Sequence, residues 1–147
     1  MTRIFFAFLA SVIVTYLLAV LAYTQLNLAN LVEMGVSVSS SIRVDAAIHD
    51  LLSMSGLYLP IISVALLLGF LFVRLALIWL SQLRTLGYIL GGFTGICAID
   101  FMLGMLVGTH PLAVTRTTVG LLSQALAGAI GGYVFSFVSV RQQESEK

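Results

Sequence analysis

Residues 86–107 read LGYILGGFTGICAIDFMLGMLV, and residues 118–140 read TVGLLSQALAGAIGGYVFSFVSV. Between them the two runs hold one acidic side chain, Asp100, and no basic one. Each is long enough to cross a hydrocarbon core of about 30 Å as a helix rising about 1.5 Å per residue. Lipid offers the peptide groups no partner, so a lipid-exposed backbone of this kind has to be helical.

Both runs also carry a period. Gly92, Ile96, Asp100, Gly104 and Gly108 recur at every fourth residue, as do Gly120, Gln124, Gly128, Gly132 and Ser136. Small residues at that spacing let membrane helices approach closely, which drives their association where no hydrophobic effect operates. Folded as an antiparallel hairpin centred near residue 112, the stripes register. Gly92 then lies opposite Gly132, Ile96 opposite Gly128, Asp100 opposite Gln124 and Gly104 opposite Gly120. We expect these spans to pack through Gly92, Gly104, Gly120, Gly128 and Gly132, with Asp100 hydrogen-bonded to Gln124.

Two further apolar runs lie upstream, at about 4–26 and 57–80. The first exceeds the apolar core of about 7–15 residues typical of a signal peptide. It is therefore read as an uncleaved span, although Val20-Leu21-Ala22 would serve as a cleavage site. The second has Pro60 in its first turn, where a missing N–H does least harm. Composition agrees: 60% of the 147 residues are hydrophobic, 9% are charged, and the mean hydropathy is +1.10. A soluble domain is about 25% charged. The expected fold is an all-α integral membrane protein, one domain over 1–147, with four transmembrane helices in a compact bundle (about 4–26, 57–80, 86–107 and 118–140).

The connection 27–56 is too long for a simple turn. Its middle, GVSVSSS at 35–41, carries breaker and capping residues. The stretch 42–54 then places Val44, Ile48, Leu51 and Leu52 at helical spacing, as in a short amphipathic helix lying on the membrane surface or on the bundle. Asn30-Leu31-Val32-Glu33 resembles a capping box. The polar tail 141–147 is expected to fray.

Basic residues set the orientation. Arg3, Arg84, Arg141 and Lys147 fall on one side, against Arg43 and Arg116 on the other, which favours cytoplasmic termini. Trp79 and Tyr88 would then belong to an inner aromatic belt, and Tyr23 and Tyr58 to an outer one. A bacterial inner membrane is the expected location.

Arg74 is the second charge inside a predicted span. At about 12 Å from the end of that span it is within snorkelling distance of the interface. A turn near Thr85 would put Asp100 about 7 Å further out. An ionisable residue in a span is a candidate functional site, so Asp100, Gln124 and Arg74 form the expected polar centre. The connections hold Asp45, His49, Asp50 and His110. Asp45 and His49 share a helical face, but Asp50 points about 100° away, and a solvated face is expected there rather than a metal site. Lone Cys97 is expected to pack, as thiols in apolar surroundings do.

Net charge of +1 excludes a strongly basic nucleic-acid binder. No phosphate loop, dinucleotide fingerprint, zinc-protease histidine pair or serine elbow is present. Neither histidine falls in a span, so axial haem ligands are missing, and no cofactor is called for. The partners expected are the lipid bilayer and other membrane helices. The leading expectation is a non-enzymatic assembly or accessory subunit packing with itself or with a larger membrane complex. The alternative is a small oligomeric transporter or channel subunit using Asp100 as an ion or proton relay. A third is a membrane enzyme, or a lipid or quinone binder, built on the residues of the connections.

Overall fold

The computed structural model describes residues 2–77, 83–107 and 117–144. Five helices occupy them: α1 (Thr2–Glu33), α2 (Ser40–Ser53), α3 (Ser55–Ala76), α4 (Arg84–Val107) and α5 (Thr118–Glu144). No strand occurs among the described residues. Four helices are long and apolar enough to cross a membrane, with candidate spans Arg3–Glu33, Ser55–Ala76, Arg84–Met102 and Thr118–Ser139. Large apolar side chains such as Phe6, Phe72 and Phe101 face outward along them. A hydrocarbon solvent tolerates such a surface and water does not.

α5 packs against α4 on one side and α1 on the other, while α3 packs mainly on α4. All three seams are lined by small residues. Between α4 and α5, a Cβ added at Gly92 would run into the Gly128 carbonyl, one at Gly128 into Gly92 and Ile96, and one at Gly132 into Tyr88 and Ile89. These contacts make the pair antiparallel, with Gly128 level with Gly92 and Ile96. Gly104 and Gly120 would continue the seam, with Gly120 buried and the surroundings of the Gly104 position outside what the structure describes.

The seam between α3 and α4 rests on a second glycine face. A Cβ at Gly69 would meet the Gly91 carbonyl, and one at Gly95 would meet the Ala65 carbonyl. Gly91 and Gly92 are adjacent, so they point about 100° apart around α4 and serve different neighbours. The third seam joins α1 to α5. Ser11 Oγ donates to the Gly131 carbonyl at 2.7 Å, and a Cβ at Gly131 would collide with Thr15 Oγ1. Ala7, Ser11, Thr15 and Ala19, four residues apart, are all buried there.

At the end of the bundle where α1 begins and α5 finishes, which we call the terminal end, aromatic rings fill the core. Phe70 and Phe135 stack with centroids 4.6 Å apart, and Tyr88 meets them edge-on at 5.5 and 4.8 Å. Tyr88 and Tyr58 are both buried and belong to the interior rather than to interfacial belts. Trp79 lies outside the described residues.

Helix ends depart from the expected boundaries. α1 continues to Glu33 because nothing in 27–33 breaks a helix. Gly35 stops it, at φ 88°, with Val36 N–H donating to Leu31 O and Gly35 N–H to Val32 O. That paired closure is the Schellman arrangement, which needs a residue able to take positive φ. Asn30–Glu33 is thus a last turn and not a capping box. Ser39 supplies the real N-cap nearby, its Oγ accepting from Ile42 N–H at 3.5 Å. α5 stays helical through Glu144, past the expected start of fraying.

The amphipathic helix expected at 42–54 is α2, and it is docked on α1. Tyr16 Oη donates to the Leu51 carbonyl at 2.6 Å, Thr24 Oγ1 to Asp50 Oδ2 at 2.7 Å, and Arg43 to Gln25 Oε1 at 2.9 Å. Ala47 is buried and Leu51 half-buried against the bundle. Val44, Ile48 and Leu52, expected beside Leu51 on one face, are exposed. They lie at four-residue spacing and form a stripe on the outer side of α2.

Candidate functional site

Gln124 is the most connected polar side chain of the interior. It is fully buried, at 0% exposure, where α5 meets both α1 and α3. Its Oε1 accepts from Tyr58 Oη at 2.7 Å, and its Nε2 donates to the Ala19 carbonyl at 3.0 Å. One side chain thereby joins three helices. Tyr16 stands beside Tyr58, ring centroids 6.4 Å apart, and carries the network on to α2 through Leu51.

Asp100 is buried at 4% exposure, yet its Oδ2 has no hydrogen-bond partner. The expected bond to Gln124 is not formed; the amide is turned instead to Tyr58 and the Ala19 carbonyl. Tyr58 and Cys97 lie within electrostatic reach of the carboxyl. A buried polar atom left unpaired in a folded protein calls for an explanation, and in a candidate span an ionisable one is a functional-site signal. Thr15 Oγ1, against Gly131, is the other buried side-chain oxygen without a partner among the described residues.

Arg74 does not join this centre. α3 ends at Ala76, so Arg74 sits in its last turn, exposed, rather than deep in a span. Gly69 packs on Gly91 and Gly95, which sets Asp100 level with the start of α3, near Tyr58 and Ile62. Arg74 is then about 12 residues away along the bundle, or ~18 Å at the helical rise. The shorter separation expected from sequence assumed a turn near Thr85 that the helix packing does not have.

The residues of the connections do not converge on a metal. His49 Nδ1 lies 3.8 Å from Asp50 Oδ1, but the imidazole is 80% exposed and Asp50 faces Thr24. Asp45 is exposed, and His110 lies outside the described residues. No group of three potential ligands occurs among the described residues. Cys97 is half-buried and free.

Three participants were not given these roles from sequence: Tyr58, expected only in an aromatic belt, the Ala19 carbonyl, and the glycine face Gly87-Gly91-Gly95. The last had a visible signal, a four-residue repeat running beside the one at Gly92. Tyr58 had none, since its bond depends on how α3 sits against α5.

No protein-family model matches the chain, and no curated protein or solved structure resembles it. The class rests on the fold: an all-helical bundle in which four helices can cross a membrane, closed by glycine seams, with a polar centre at Gln124 and Asp100.

Proposed function

We propose that this protein is a non-enzymatic assembly or accessory subunit of a membrane, packing with itself or with a larger membrane complex. One observation carries the reading. The outer side of the α3–α4 seam forms an apolar groove of about 590 Å³, floored by Gly69, Gly87, Gly91 and Gly95 and walled by Phe72, Leu86 and Leu90. These glycines are engaged by the α3–α4 contact, with Val73 over Gly87 and Gly91, and they draw α3 and α4 together so that a helix seated in the groove would touch both at once, as packed membrane helices do. The groove lies away from α1 and α5, which complete the bundle on its other side.

In this reading the chain sits in a bacterial inner membrane with both termini cytoplasmic. Arg3, Arg74 and Arg84 all fall at the terminal end, and an excess of positive charge there supports a cytoplasmic side. Reporter fusions after Arg141 and within 37–41 test that orientation. For assembly, the mass of the particle in mild detergent is the direct test. A mass above that of one chain, lost in a Leu90→Trp variant that fills the groove, supports the proposal. A strict monomer with no co-purifying protein contradicts it.

A second reading is favoured by the unpartnered Oδ2 of Asp100: a small oligomeric transporter or channel subunit in which that carboxyl relays a proton or cation. Reconstituted flux abolished by Asp100→Asn, with folding unchanged, would put this reading first.

A further inference from the structure

We infer that Asp100 is a proton-binding site that takes no metal cation and exchanges its proton with the end of the bundle carrying α2. The site is that of the second reading above, on which this assignment rests and which leaves proton and cation open. Its Oδ2 is buried and accepts no hydrogen bond. A buried carboxylate has to be paired, coordinated or protonated. Tyr58 gives its one hydroxyl proton to Gln124 Oε1, so it has none for the carboxyl.

Among the described residues, the titratable groups facing the carboxyl are Tyr58 from α3 and Cys97 from α4 itself. α5 and α1 bring the uncharged Gln124 amide and Ala19 carbonyl to this level, already bonded to each other. Ile96, one turn back on α4, is buried and apolar. A hard cation such as calcium wants about six to eight oxygen ligands, and magnesium a near-octahedral set. No group of three potential ligands occurs among the described residues. A proton needs no such shell. It forms one O–H bond on the carboxylate and leaves by breaking it; hydronium supplies it and becomes water, so no other reactant is consumed.

Position along α4 sets the side of access. Asp100 is seven residues from Val107, where α4 ends, and sixteen from Arg84, where it begins. At the helical rise these are about 10 Å and about 24 Å. The longer way is also the closed one. Between the carboxyl and the terminal end stand fully buried Leu66, the backbone contact of Gly92 with Gly128, and the packed rings of Phe70, Phe135 and Tyr88. The shorter way leads past the start of α3 to the end where α2 lies.

The test treats sealed membrane vesicles holding the full chain with dicyclohexylcarbodiimide, an apolar reagent that adds to a carboxyl in its protonated form. The acid proton passes to a carbodiimide nitrogen and the carboxyl oxygen bonds to the central carbon, so the adduct keeps every atom of both. Peptide mass spectrometry locates it in the wild-type protein, and no variant has to fold. Cleavage of a tag after Lys147 by external protease shows which face is outward. We expect an adduct at Asp100. Over the range in which the carboxyl ionises, its rate of formation should fall about tenfold for each pH unit added on the α2 side. The same change on the terminal side should leave the rate unaltered, and sodium or potassium in place of choline should not slow it. A rate that follows the terminal side, or neither side, overturns the inference, as does the absence of an adduct at Asp100. Protection by sodium or potassium at constant pH also overturns it, while leaving the relay reading standing with a metal cation as cargo. Labelling as expected in a protein without reconstituted flux upholds the proton site and removes the relay reading instead.

Discussion

A methyl group at Gly92 should disrupt the bundle more than one at any open position, and the structure sets the scale. A Cβ there would sit 2.8 Å from the Gly128 carbonyl carbon and 3.3 Å from Gly132 N, whereas ordinary contact is 3.4–4 Å. The obstructing atoms are backbone, so no rotamer change relieves the clash and α4 must part from α5 by more than half an ångström. A gap of about 0.5–1 Å forfeits a quarter to a half of the dispersion energy of the atoms it separates. Overpacking of this kind costs about 1–3 kcal/mol. Gly56, in α3, has nothing within 4 Å of its added Cβ and serves as the reference. Gly92 is mid-helix and gains at least as much helix propensity from alanine as Gly56 in the first turn of α3, so their difference is a lower bound on the cost of the contact. Unfolding in mixed micelles, followed by circular dichroism as the fraction of dodecyl sulfate rises, should place Gly92→Ala about 1–3 kcal/mol below Gly56→Ala. Coincident unfolding curves would refute the close approach of α4 to α5.

Three further outcomes follow from the same contacts. Gln124→Leu strands the Tyr58 hydroxyl and the Ala19 carbonyl, and should lower stability by about 0.6–1.7 kcal/mol for each bond lost, on the scale of measured intramembrane hydrogen bonds. Asp100→Asn keeps the size of a side chain whose Oδ2 has no partner, so it should unfold within about 1 kcal/mol of wild type, whereas Gly128→Leu should prevent the native fold; the same micelle titration compares them. Tyr16→Phe removes the bond to the Leu51 carbonyl, and hydrogen exchange of the α2 amides should accelerate while that of α4 and α5 stays unchanged.

Four helices, the short helix after the first, and the facing of Gly92, Ile96, Gly128 and Gly132 could be read from the sequence, because apolar length and four-residue spacing act locally or between chain neighbours. Gly35 marked the end of α1, but the helix reaches it only because 27–33 contains no breaker. Length matched to a bilayer therefore underestimates that helix. The partners of Gln124 escaped detection for a different reason. A hairpin argument compares α5 with α4 alone, whereas Tyr58 and Ala19 arrive from α3 and α1, whose rotation about their axes no repeat encodes. Arg74 was misplaced by the assumed turn near Thr85, and with it went its place beside Asp100 in the expected polar centre. Similarly, α2 displayed its amphipathic period, yet Tyr16, Thr24 and Gln25, which anchor it, lie in an apolar run where they read as mere interruptions.

Assembly through the α3–α4 groove is tested most directly by photocrosslinking in native membranes from a reactive residue placed at Leu90, on the groove, with Leu126 of α5 as the comparison. Both side chains are exposed, at 61% and 57%, so both would meet lipid equally if nothing occupied the groove. The account predicts a discrete protein adduct from position 90, a second copy or another membrane subunit, that is absent from position 126. Lipid adducts alone from both positions would contradict it.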